Sequence, residues 1–501
     1  MTPGKIPLRW EGSQFVHHSL AHVNRQLCLG LLASGQVDLD LVPDGSSPED
    51  AAVMKAFPSL AARVGRPAAP PAVTVRHQWP PRFDPPAAGA WVMIQPWEYG
   101  GIPEEWVAPM RDLVDEVWVP SAWLKDCYVR SGIPGDQVVV VPNGVDGQVF
   151  RPDGERFPLA TSKGCRFLFL GGTIPRKGID LLLDTYCRTF RASDDVCLVI
   201  KAQGGGIYDG LDLPAFLARL RAEDPLAPEI EYRADDLTEP QVAALYRSCD
   251  LLVHPYRGEG FGLPIAEAMA SGLPVLVTAR GGAQDFSREA WAYLVPSRPF
   301  TVAAPAGFTP GRAGFWLEEP DAAVLGQLMR RAFADPEERR RMGQRGREHA
   351  LAELGWAGPT ALVLERIRLL AGRTLRRCTP ARPEAFLFHP DWSTAEWAEV
   401  LLSFILAFRP GEPVALVLPR SGAPGEPTLA QIQARELELV KGSGLQAFPD
   451  VVLVDNPEEL PEVLAGYGPV TPVPAGRGVV EGLQGPNGLR LAAARTRLNA
   501  R

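Results

Sequence analysis

LLVHPYRGEGFGLPIAEAMA, residues 251–270, reads as a buried strand, a loop with glycines at 258, 260 and 262, and a helix opened by Pro264. Proline at the first helical position with glycines just before it punctuates a strand–loop–helix turn. Such a turn aims free backbone N–H groups and the positive end of the helix at whatever lies in front of it, which favours a phosphate. Glu259 lies in the loop and Glu267 about one turn into the helix. One carboxylate can therefore reach the far end of a ligand while the other accepts hydrogen bonds from a vicinal diol such as a ribose. Composition alone allows, equally well, a glycine-rich turn carrying two solvated glutamates.

Outward from this segment, short apolar runs alternate with helix-length stretches: Val37–Val42, Ala90–Gln95, Glu116–Val119, Gln137–Val141, Phe167–Leu170, Val196–Ile200, Leu251–His254 and Pro274–Val277. Buried runs separated by helices predict parallel sheets in an α/β fold. PNGVDGQVFRPDGERFP, residues 142 to 158, is dense in Pro, Gly and Asp and suits a hinge near residue 150. A helix around Thr360–Arg373 should close the second unit, and Cys378–Pro383 reads as a linker to a third. The expected domains are 1–149, 150–375 and 380–501, in keeping with roughly 100–200 residues per domain.

The third unit opens on a pattern already used. RFLFLGGTIPRKGIDLLLDTYCRTFRASDDVCLVI (166–200) lines up with AFLFHPDWSTAEWAEVLLSFILAFRPGEPVALVL (385–418), sharing the FLF, the central LL, the FR and a Val-rich strand. IEYRADDLTEPQVAALYRSCDLLVHP (230–255) lines up in the same way with VLVDNPEELPEVLAGYGPVTPVP (452–474). Internal similarity on this scale predicts a duplicated half-domain. The copy lacks the Arg–Lys–Gly and the glycine-rich loop, so the expectation is a structural or regulatory unit.

Composition narrows the function. Hydrophobic residues make up 46% and charged residues 22%, which fits neither disorder nor a coiled coil. A net charge of -8 supplies no footprint for nucleic acid, whose binding is driven by Lys and Arg. The opening MTPGKIPLRWEGSQ has no apolar core, and runs such as Val400–Phe408 are about half of the ~20 residues a membrane helix needs. Seven scattered cysteines without a CxxC pair predict free thiols in a reducing compartment, hence a cytoplasmic protein. Residues 1–149 carry 11 Lys/Arg against 16 Asp/Glu, which speaks against bulk-charge docking on anionic lipid. A local basic patch around Glu337–Arg347 or RTLRR would still permit peripheral membrane contact.

The run Glu259–Gly260–Phe261–Gly262–Leu263–Pro264 through Glu267 resembles the E-x7-E signature of the retaining glycosyltransferases of family 4, glycosyl transferases group 1, with a GT-B fold. PSAWLKDCYVRSGIP, VVVVPNGVD, FLFLGGTIPRKGIDLLLDTY and ARGGAQDF occur in the family's order, and the resemblance covers about residues 10 to 372. It implies two Rossmann-like domains facing a cleft, with the smaller α/β domain behind them. It also implies transfer of a hexosyl group from a nucleotide-diphosphate sugar with retention of configuration, without a metal or other cofactor. The acceptor would be a sugar, a lipid-linked or a protein molecule, and the sugar, base, acceptor and oligomeric state stay open.

By the same resemblance Arg176 and Lys177 take the diphosphate beside Gly172. Glu259 contacts the donor sugar, the amides around Gly260, Phe261, Gly262 and Leu263 hold sugar and phosphates, and Glu267 takes the ribose. The family's first glycine-rich loop corresponds to EGSQ, whose one glycine, Gly12, precedes Ser13 and would meet the donor. The family's basic residues usually follow Gly–Arg–Leu, where this chain has Gly172–Thr173–Ile174 and an arginine beside Lys177. His77, in TVRHQWP, stands where the family often places a histidine near the reacting sugar. His17 and His18 at a helix entry could line the acceptor side, as could Trp97 and Tyr99 of Pro96–Trp97–Glu98–Tyr99–Gly100.

Asp38 and Asp40 form a D-x-D, a metal-binding pattern in another transferase fold, but in VDLDLV they alternate with apolar residues as the polar face of a strand. Two further readings accompany the transferase: a non-catalytic GT-B-like binding or assembly subunit, and a nucleotide-sugar epimerase on the same fold.

Overall fold

The computed structural model describes residues 5–44, 50–65, 69–202, 212–305, 307–372, 384–394, 396–408, 414–420, 426–428, 431–432, 450–454, 457–465, 467, 470–473 and 491. The stretch 373–383, with the expected linker and the RTLRR patch, lies outside them. Two compact units divide the chain, Met1–Leu375 and Arg376–Arg501.

The first unit holds two six-stranded parallel sheets. One consists of β1 (Ile6–Glu11), β2 (Val37–Val42), β3 (Val73–Arg76), β4 (Ala90–Ile94), β5 (Glu116–Val119) and β6 (Val138–Val140), in the order β2-β1-β3-β4-β5-β6. All residues of β3, β4 and β5 are buried, as expected of strands covered on both faces, and their Val, Trp and Ile content suits that place. The second sheet consists of β7 (Cys165–Leu170), β8 (Val196–Lys201), β9 (Glu229–Arg233), β10 (Leu251–His254), β11 (Val275–Thr278) and β12 (Ala292–Val295), in the order β12-β11-β10-β7-β8-β9. That is the Rossmann order, whereas the first sheet reverses direction as a flavodoxin-like sheet does.

Strand order turns over between β1 and β3 in one sheet and between β7 and β10 in the other. Open parallel sheets bind ligands beyond the carboxyl ends of strands at such a reversal. Register decides which residues emerge there. Glu11 pairs with Arg76, so Gly12 and His77 leave the first sheet side by side. Leu251 and Leu252 pair with Phe167 and Leu168, so the loops after β7 and β10 are neighbours.

Two features of this unit differ from the expected organisation. Helix Ala357–Ala371, placed with residues 150–375 on sequence, buries Val363, Leu364, Ile367 and Leu370 in the core of the first sheet, and Arg366 pairs with Glu116 of β5. The apolar stripe of a helix shows that it packs and not against what. The second feature is an antiparallel hairpin, β13 (Ser297–Thr301) and β14 (Trp316–Pro320), whose loop reaches the first sheet's domain. Glu104 donates its N–H to Thr309 O (3.0 Å), Gly100 to Trp316 O (2.9 Å), and Phe308 packs on Trp79, Trp97 and Trp106.

The second unit holds a four-stranded parallel sheet of β15 (Glu384–Leu387), β16 (Val414–Pro419), β17 (Asp450–Val454) and β18 (Val470–Pro472), in the order β17-β16-β15-β18. The matching strands of the first unit's second sheet run β9-β8-β7-β10. The two aligned sequence pairs thus fold with the same strand order, and helix Glu396–Ala407 bridges β15 and β16 as helix Ile179–Thr189 bridges β7 and β8. Phe386, Phe388, Val400, Leu401, Phe404 and Leu416 form its core. No helix among the described residues is long and apolar enough to cross a membrane.

Candidate functional site

Loops from both strand-order reversals line one cavity of about 270 Å³. From the first sheet come His77, Pro96, Glu98, Pro120, Val141 and Asn143, with Ser19, Leu20, Val23 and Leu27 of the helix after β1. From the second come Gly171, Gly172, Ile174, Arg176, Lys177 and the run Glu259–Pro264. The sequence-predicted Gly172, Arg176, Lys177, His77, Glu259, Gly260, Phe261, Gly262 and Leu263 are thereby brought together.

The loop after β10 is shaped by its glycines. Gly262, at φ +98°, sits in the left-handed region as the cap of helix Leu263–Ala270, which Pro264 opens. The N–H groups of Phe261, Gly262 and Leu263 make no hydrogen bond within the described residues and stand at the positive end of that helix. Ser121 donates from Oγ to Gly260 O at 2.8 Å, and Ala122 donates its N–H to Asp285 at 2.6 Å, so both ends of this region are held against the first sheet's domain.

Arg176 and Lys177 lie on a single 3-10 turn, Pro175–Lys177, ended by Gly178 at φ +74°. A Cβ on Gly178 would come within 2.0 Å of Pro255 O, so glycine lets the turn press against the neighbouring loop. Arg176 donates from Nη1 to Gly258 O (2.9 Å) and lies 3.5 Å from the Glu98 carboxylate. Lys177 donates from Nζ to Glu259, and His254 Nε2 is 3.8 Å from the same carboxylate. Burial alone would raise the Glu259 carboxyl. Lys177, His254 and Arg176 outweigh it and hold the group well below the usual carboxylate range. The site therefore presents fixed positive charge, an ionised carboxylate and free amides around one space.

Glu267 is half-buried one turn into the helix, where it accepts from Tyr246 Oη at 2.8 Å. Burial pushes its carboxyl up to about 7; the Tyr246 bond opposes this, and Glu239 adds to it. It is not among the cavity-lining residues and stands to one side.

Other predicted residues sit differently. The N–H of Gly12 is spent on Val42 O at 3.0 Å, so Gly12 offers no amide to a donor phosphate. His18 is exposed and caps the helix Ser19–Ala33, its Nδ1 accepting from Ala21 N–H at 3.2 Å, and His17 pairs with Asp50 at 3.3 Å on the surface. Neither lines the cavity. Trp97 is 3% exposed, donates from Nε1 to Gly101 O and packs among Trp79, Trp106, Phe308 and Phe315. It cannot stack on an acceptor as expected; its alternation with Pro96 and Glu98 turns it to the opposite side. Tyr99 is half-buried against Trp97 and Phe315 and is likewise not a lining residue. Asp40 accepts from Arg9 at 2.9 Å and Asp38 lies 3.7 Å from Arg63, so both aspartates answer arginines. Among the described residues no group of three or more His, Cys, Asp or Glu is arranged to hold a metal.

His77 is 2% exposed, with Nδ1 2.7 Å from Asn24 Oδ1. Burial, with a smaller contribution from His18, lowers its pKa to about 3, so the ring is neutral. Asn24, Glu98, Ser121 and Asn143 were not singled out as site residues on sequence. Ser121 alone carried a signal, as the serine cap before helix Ala122–Ser131.

Residues 164–307 match the family described as glycosyl transferases group 1. The MMP alpha-(1->4)-mannosyltransferase of Mycolicibacterium hassiacum is 28% identical over 261 residues, 51% of this chain and 55% of that protein. A D-inositol 3-phosphate glycosyltransferase of Streptomyces avermitilis is 29% identical over 227 residues, 44% of each chain. The chain thus spans about half the length of the curated relatives it matches. Sucrose-phosphate synthase from Thermosynechococcus elongatus has the same fold, with a TM-score of 0.52, 18% identity, and coverage of 73% of this chain and 99% of that one. With the E-x7-E loop, the paired parallel sheets and this family match in hand, the segment 164–307 is similar to the group 1 glycosyltransferases, and the chain has a GT-B fold extended by a further C-terminal α/β unit.

Proposed function

We propose that the chain is a retaining glycosyltransferase that moves a hexosyl group from a nucleoside-diphosphate sugar to an acceptor, with no metal ion taking part. The observation that carries this reading is the single cavity where Lys177, Arg176 and the free amides of Phe261 to Leu263 converge with Glu259 and His77. Fixed cations and N–H dipoles aimed at one spot are what a departing diphosphate needs. Arg176 and Lys177 supply the charge, and the helix end adds its dipole. Glu259, ionised, accepts from hydroxyls of the donor sugar, while Glu267 accepts from the ribose diol. The anomeric C–O bond to the diphosphate breaks, the acceptor oxygen bonds to the same face, and its proton passes to the departing phosphate oxygen. His77 faces the sugar from the first sheet, which holds the acceptor.

The unit 380–501 is on this reading a degenerate copy of the donor half. Its strand order supports that origin, and the absence of the Arg–Lys–Gly from its aligned sequence supports a structural or regulatory role. The protein works in the cytoplasm, with peripheral contact where the acceptor is lipid-linked.

Release of nucleoside diphosphate from a panel of UDP-, GDP- and ADP-sugars tests the reading. A transferase releases it in the presence of acceptor extract, and Glu259→Ala abolishes release while the melting temperature is kept. Binding without release supports an assembly subunit, and isomerised donor without acceptor supports an epimerase; either result overturns the proposal.

A further inference from the structure

Asn24, on the inner face of helix Ser19–Ala33, is fully buried, and every hydrogen-bonding atom of its side chain is engaged. Its Oδ1 accepts from Trp10 Nε1 at 2.9 Å and faces His77 Nδ1 at 2.7 Å. Its Nδ2 donates to Ser13 O at 2.9 Å and to His77 O at 3.3 Å. These partners leave one orientation for the amide. An indole N–H can only donate and two backbone carbonyls can only accept, so the atom beside Trp10 must be oxygen and the atom beside the carbonyls must be nitrogen. An oxygen facing His77 Nδ1 then requires the proton to be on Nδ1. The other ring nitrogen, Nε2, is buried without a partner among the described residues, and His77 lines the cavity.

We infer that Asn24 is a positioning residue: it fixes the ring plane of His77 and its Nδ1–H tautomer, so that Nε2 offers the cavity a lone pair and no proton. A neutral nitrogen acceptor takes a hydroxyl of a sugar and gives nothing to an anion. The first-sheet side of the cavity is thereby matched to hydroxyl groups, while the cations and amides stand on the second-sheet side. Trp10 and the carbonyls of Ser13 and His77 complete the clamp, and ring reorientation would break the bond between His77 Nδ1 and Asn24 in a dry interior.

The catalytic consequence rests on the proposed transferase reading, but the tautomer does not, so the two fail separately. Nitrogen-15 shifts of the His77 ring, assigned with His77→Gln in histidine-labelled protein near neutral pH, should show a protonated Nδ1 and an unprotonated Nε2. Asn24→Leu keeps the side chain's size and removes the clamp; it should move the ring to mixed tautomers and lower turnover about 10–100-fold. Adding His77→Ala to it should then cost little beyond His77→Ala alone. Trp10→Phe, which removes the other donor to the same oxygen, should disturb packing yet leave the tautomer unchanged. An Nε2–H ring in the wild type overturns the inference, even where Asn24→Leu does not fold. An unchanged tautomer in folded Asn24→Leu overturns it as well. Correct tautomer shifts with no turnover in any assay would instead leave the clamp standing and remove the transferase reading.

Discussion

Lys177 and Glu259 form an ion pair between the turn after β7 and the loop after β10, with 17% and 10% of their side chains exposed. The pair sets one fixed positive charge against one ionised carboxylate. On the proposed reading, a diphosphate entering beside it offers Lys177 a second anionic partner, so the lysine need not be desolvated anew.

Lys177→Ala should therefore lower turnover about 10²–10³-fold, the usual effect of losing one preorganised group that stabilises departing charge. The Glu259 carboxyl should rise in the same variant, because burial is then opposed by less positive charge. Steady-state kinetics and a carboxyl titration check the two effects.

Glu267 predicts a pH dependence. Its folded value of about 7 lies above the ordinary ~4.3 for a glutamate, so the native state binds an extra proton between them. The stability this confers is full below the unfolded value and is lost as pH rises through 7. Glu267→Gln should consequently gain on the order of 2 kcal/mol on the wild type between pH 5 and pH 8 in denaturant melts. Nucleotide affinity of the wild type should rise over the same interval, since the diol needs the carboxylate.

Gly178→Ala should lower both stability and turnover. The backbone conformation costs an alanine about 1–2 kcal/mol, and its Cβ drives into Pro255 O. Relief moves the turn that carries Arg176 and Lys177. Differential scanning calorimetry together with kcat measures both losses.

Trp97→Ala should cost about 3–5 kcal/mol of stability, as truncation of a buried aromatic does. The KM for acceptor should stay unchanged at temperatures where the variant is folded, because Trp97 faces the aromatic cluster and not the cavity.

The parallel sheets and the glycine-rich loop after β10 were legible because both write themselves locally. Val-rich runs give strands, and Gly262 followed by Pro264 gives the turn that frees three amides. Strand order was not legible in the sequence; only the structure shows that the aligned segments run in the matching orders β9-β8-β7-β10 and β17-β16-β15-β18. What escaped depends on partners far away in sequence. Helix Ala357–Ala371 could not announce that its apolar stripe meets the first sheet, and Asn24 reads as an ordinary helical residue until Trp10 and His77 close around it. Gly12 and Trp97 were misplaced for a related reason: residue type and loop position set what a group can do, while the neighbouring strand decides whether its N–H or ring is already in use.

The cavity's role as a nucleoside-diphosphate site is tested most directly by melting the protein with millimolar UDP, GDP and ADP in turn. A ligand bound by the native state alone stabilises it by about 2.7 kcal/mol at a hundredfold excess over Kd. The account predicts that one of the three raises the melting temperature of the wild type, and that Lys177→Ala and Glu267→Ala each abolish the shift. A melt unmoved by all three nucleotides, or a shift that survives both substitutions, would contradict it.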